Sequence, residues 1–82
     1  MNRDLVLFQL REAREALAHC IHDMEQDADY FRVEFMIDMT HLYHHLNTAW
    51  NARAASTERA TACSEEDFRL WRQFPVDLDM SA

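Results

Sequence analysis

The sequence predicts an all-α protein: a long antiparallel helical hairpin followed by a short C-terminal helix and an extended tail. Three observations predict it. The chain has no glycine and a single proline, Pro75, whereas β-rich folds normally place glycine at the positive φ angles of tight turns. Apolar residues recur at intervals of three and four along two long segments, the period of a helix face. Only a few residues separate those segments, so the two helices must run antiparallel.

The first helix is expected over residues 4–26. Val6, Leu10, Ala13, Leu17, Cys20 with Ile21, Met24 and Ala28 form its apolar stripe, and Glu12, Glu15, His19, Asp23 and Gln26 form the opposite face. Leu5 and Phe8 fall outside the stripe and need separate cover. The run Gln26-Asp27-Ala28-Asp29 is a turn with an aspartate available to cap the next helix. That second helix is expected over residues 30–53, with Phe35, Met39, Leu42, Leu46, Ala49 and Arg53 as its stripe, widened by Met36, Tyr43 and Trp50. After it, AASTERATA has enough alanine for a short helical turn. Ser64 followed by Glu65, Glu66 and Asp67 is a helix start, because a serine can cap and acids favour the positive end of the dipole. The resulting short helix, residues 65–73, carries Phe68, Leu70 and Trp71; Phe74 follows, just ahead of Pro75. In the tail, residues 75–82, Val76, Leu78 and Met80 alternate with Asp77 and Asp79, a period of two. All 82 residues are expected to make one helical domain.

Fifteen acidic residues against eight arginines and no lysine give a net charge of −7, which disfavours nucleic-acid and anionic-membrane partners. Protonating the five histidines would bring it to −7 + 5 = −2. No apolar run is long enough to span a bilayer, and the N-terminal apolar patch is too short for a secretion signal. Cys20 and Cys63 lack the spacing of a CxxC motif; Cys20 falls on the core stripe, and a cytoplasmic location is expected.

The most conspicuous stretch is HLYHHLNTAW, residues 41–50. On a helical wheel His41 and His45 share one flank with Glu34 and Asp38, while His44 is expected near the solvent pole. Histidines four apart can share one ion, and Asp38 with His41 is an acid-x-x-His step of the kind used in di-metal bundles, so Glu34, Asp38, His41 and His45 are the candidate ligands for a divalent metal. The first helix offers no acid in its stripe to complete a di-metal set. The acids precede the histidines, an order that also suits a solvated helix flank with no cofactor, which is the simpler expectation. His19 or His44 as a phosphoryl acceptor has only an analogy of fold behind it, and neither cysteine has an activating base beside it. Arg53 is expected to pair with Glu65, Glu66 or Asp67 and pin the third helix down. Met24, Met36 and Met39 read as core filler.

Two long helices share only one seam, and one short helix cannot cover both apolar faces. The expected remedy is a homodimer forming a four-helix bundle, against a monomer capped by Phe68, Trp71, Phe74 and the tail. The function expected is therefore that of a small, acidic, non-catalytic interaction or regulatory module, without a cofactor. A metal-binding bundle is the first alternative. The second is an accessory subunit of a larger complex, docking through Leu5, Phe8 and the VDLDM tail.

Overall fold

The computed structural model describes residues 1–81. It is all-helical among those residues: α1 spans Arg3–Gln26, α2 Arg32–Asn51, α3 Thr57–Ala62 and α4 Glu65–Trp71. α1 and α2 form the antiparallel hairpin, and α4 packs on α2.

Each helix starts where a side chain can take up a free backbone N–H. Asn2 Oδ1 accepts from the Leu5 amide, Ser56 Oγ from Arg59 and Ser64 Oγ from Asp67, each at 3.1 Å. α2 is capped differently from the sequence expectation. Neither Asp27 nor Asp29 caps it; the Phe31 amide donates to Glu34 Oε2 at 3.1 Å, while Asp27 turns back to accept from the Asp29 amide. Helix two accordingly begins at Arg32 rather than Tyr30, and it ends at Asn51 rather than Arg53. AASTERATA supplies a helix of its own, α3, closed by Cys63 in the left-handed region at φ 38°. α4 ends at Trp71, two residues short of expectation, and Pro75 prevents any return to helix.

Backbone and side-chain ties fix the hairpin register. The Asn2 amide donates to the Arg53 carbonyl at 2.6 Å, joining the start of α1 to the end of α2. Farther along, His45 Nδ1 donates to Gln9 Oε1 at 2.9 Å. The buried apolar residues are mostly small: Ala13 and Cys20 on α1, and Ala49 and Ala52 at the end of α2. Trp71 is the one large hydrophobic residue among the buried set. The molecule is elongated, 43 × 30 × 22 Å, with a radius of gyration of 14.3 Å; a compact chain of this length would have roughly 12 Å.

Candidate interaction face and the histidine flank

The four residues of the expected metal flank are not brought together as a ligand set. Glu34 is engaged in capping α2. Asp38 Oδ2 accepts from the Tyr30 hydroxyl at 2.7 Å, and the same Tyr30 oxygen lies 3.3 Å from Cys20 Sγ. With the tyrosine proton directed at Asp38, the thiol is the donor to the phenol oxygen. His45 is bonded to Gln9, and His41 stands exposed. No three histidine, cysteine or acidic side chains among the described residues are placed to hold a metal ion.

The Cys20–Tyr30–Asp38 chain is structural in its logic. It links the C-terminal third of α1, the interhelical connection and the second turn of α2, closing the hairpin at its turn end. Burial, then the bonds to Cys20 and Asp38, push the Tyr30 phenol far above its ordinary range, so it remains a neutral donor. Sequence reasoning placed Tyr30 inside helix two and missed this role. An aromatic hydroxyl eight residues before an aspartate is no signal until the turn folds back.

His44 departs from the solvent position that the wheel assigned to it. It is half-buried, its ring 5.2 Å from Phe68 of α4 and 4.8 Å from His45. Burial lowers its pKa, and the neighbouring His45, Arg72 and His41 lower it further, so the neutral imidazole is favoured. Its Nδ1 and the Oγ1 of Thr48, one turn on, are buried without hydrogen-bond partners. Both residues border a cleft of about 260 Å³ walled by Phe8, Phe68 and Trp71. The outward pole of α2 was the wrong reference, because α4 lies across it.

α4 is held by amides rather than by the expected arginine. Asn47 Nδ2 donates to the Arg72 carbonyl, and Asn51 Nδ2 to the carbonyls of Trp71 and Gln73, at 2.7–2.9 Å. These three carbonyls end a helix that would otherwise leave them unpaired. Asp67, expected as one partner of Arg53, is taken by Arg59 at 2.7 Å, and that bond holds its carboxyl below the usual range. Arg53 instead stacks on Trp50 at 3.9 Å and lies 3.5 Å from Asp77, which also accepts from the Trp50 indole at 2.9 Å. The pair therefore anchors the tail. Of the tail's alternating residues, Leu78 and Met80 border a cleft beside Trp50, whereas Val76 is fully exposed. Leu5 and Phe8, left without cover by the sequence, face Thr57 and Ala60 of α3.

These contacts leave one side of the hairpin uncovered. At about 100° per residue, Leu17 lies opposite Phe8 on α1, and Phe35 lies opposite His44 on α2. Since Phe8 and His44 face α3 and α4, Leu17 and Phe35 point the other way. Most of the residues expected in the seam are on that open side instead. Leu10, Leu17, Ile21 and Met24 of α1 are 44–51% exposed and Phe35 of α2 is 43% exposed, while Leu46, at 41%, sits at the edge of this side and also lines the cleft beneath the tail. Met39 and Leu42 lie between them, half-buried. Arginines flank these positions closely at three–four spacing on the outer side, Arg3 and Arg14 on α1 and Arg32 at the start of α2. The small residues of the stripes are the buried ones, and the larger ones stand further out.

No protein-family model matches the chain, and the searches of curated proteins and of solved structures return no match.

Proposed function

We propose that this protein is a non-catalytic interaction module whose working form is a homodimer: two hairpins joined through their open faces into a four-helix bundle. The observation that carries this reading is surface area. A folded monomer of this mass is expected to expose roughly 5,200 Å². This chain exposes 6369 Å², and none of its large side chains is fully buried. From their exposures, the open face offers roughly 700 Å² per chain, close to the ~800 Å² per partner of a standard protein interface. A surface of that size, apolar and continuous across two helices, marks an association site.

A second copy is the occupant that fits it. The face is long and bordered by arginines, whereas the chain as a whole is strongly acidic and would repel a second copy docked elsewhere. Sedimentation equilibrium near 50 µM should return twice the chain mass. Leu17→Glu, which would place two charges in the apolar interface, should weaken association about a hundredfold. A wild-type chain that sediments as a monomer overturns the proposal.

A further inference from the structure

The side of the hairpin away from the open face carries the cleft of about 260 Å³ walled by Phe8, Phe68 and Trp71, with Cys63 at the end of α3 also on its border. The packing there is incomplete in two respects. Phe8 and Phe68 are 57% and 43% exposed, so two of the three aromatic walls still face water. On the α2 side, His44 Nδ1 and Thr48 Oγ1 are buried without partners, a condition that folded proteins rarely tolerate.

The Thr48 hydroxyl is the sharper case. A threonine inside a helix can bond back to the carbonyl four residues earlier. Thr40 does so, donating to the Met36 carbonyl at 2.8 Å. Thr48 makes no such bond, although it is only 6% exposed while Thr40 lies at the surface. A buried hydroxyl therefore forgoes the one partner its own helix supplies. His44 precedes it by one turn, so both unpaired groups come from the same side of α2. The other polar pair bordering the cleft, His45 and Gln9, is satisfied by its mutual bond at 2.9 Å. Recognition falls to His44 and Thr48.

The occupant that meets these conditions is small, neutral and aromatic, with a donor and an acceptor on one edge. A planar ring suits three aromatic walls. An enclosed apolar cavity of about 150 Å³ takes up benzene, so this cleft has room for one ring and a polar substituent. A threonine hydroxyl donates or accepts, and a neutral imidazole nitrogen does either according to its tautomer. A primary carboxamide complements both, its carbonyl facing the hydroxyl and its N–H the imidazole. No acid or arginine borders the cleft to balance a charged group, and the net charge of −7 disfavours anions.

We infer that this cleft is a binding site for a small neutral aromatic carboxamide, held among Phe8, Phe68 and Trp71 and hydrogen-bonded to Thr48 and His44. It shares no residue with the open face, so it stands whether or not the dimer forms.

The probe is benzamide, titrated into the full chain and followed by amide and indole NMR signals. It should bind with a Kd of about 1 mM or tighter, with the largest shifts at Thr48, Cys63 and the Trp71 indole. Thr48→Val nearly keeps the side chain's shape and removes the hydroxyl. It should weaken benzamide about tenfold, while its urea midpoint equals or exceeds that of the wild type because an unsatisfied buried group is gone. Benzoate, which carries a charge into the cleft, should bind about tenfold more weakly than benzamide or worse. No benzamide binding up to about 10 mM, or equal affinity for the Thr48→Val chain or for benzoate, overturns the assignment. So does a lowered midpoint in the Thr48→Val chain, which shows that the hydroxyl already has a partner in the empty cleft.

Discussion

At the scale of single residues, His44 shows how context decides what a histidine is. Three histidines within five positions invite a single explanation, yet each has a different environment. His41 is in solvent, His45 donates to Gln9, and His44 is packed on Phe68 and kept neutral. A histidine whose pKa is lower folded than unfolded takes up its proton more readily in the unfolded chain. Its contribution to stability is therefore complete above the ordinary value of about 6.5 and is lost as pH falls toward the lower folded value. Urea midpoints measured at pH 7.5 and pH 5 should show this loss in the wild-type protein. His44→Phe, which retains an aromatic ring against Phe68 and removes the titration, should show a smaller difference between the two pH values.

At the scale of elements, the third helical layer depends on two asparagines. Asn47 is 7% exposed, and its amide is the partner of the Arg72 carbonyl. Asn47→Ala should cost about 1–3 kcal/mol, the penalty for an unsatisfied buried acceptor plus a small cavity, read as a lower urea midpoint at unchanged slope. The elements themselves were largely legible in the sequence. Periodicity located α1 and α2, and Ser64 with its three following acids located the start of α4. Their faces were less so. A period of three to four says that one side of a helix is apolar, but α1 carries two adjacent apolar rows, one small (Ala13, Ala16, Cys20) and one large (Leu10, Leu17, Ile21). Hydrophobicity ranks the large row as core, whereas close packing of two helices with so little else to cover them selects the small one. The metal flank failed to assemble for a related reason: Tyr30, Gln9 and the Phe31 amide compete for its members, and none lies within the stretch that suggested it.

At the scale of the whole molecule, the chain buries little for its length, and part of what it leaves exposed forms an apolar row along one side of the hairpin. A folded state completed by a second copy has a stability that rises with concentration, because association removes only folded chains from the equilibrium. The melting temperature should climb by several degrees, on the order of 4–8 °C per kcal/mol gained, between micromolar and hundred-micromolar protein. Leu17→Glu should melt at one temperature across that range. Both behaviours are accessible to differential scanning calorimetry.

The placement of the two tryptophans gives the protein two built-in optical probes. Trp71, the last residue of α4, is buried beside Arg59, while Trp50 stacks with Arg53 and donates its indole N–H to the tail carboxylate of Asp77. Their emission therefore reports on different parts of the chain. Trp50→Phe leaves a fluorophore that follows the docking of α4, and Trp71→Phe one that follows the tail. Recorded against denaturant, the two traces separate if the tail lifts off before the helices part, and they superimpose if the molecule comes apart as one.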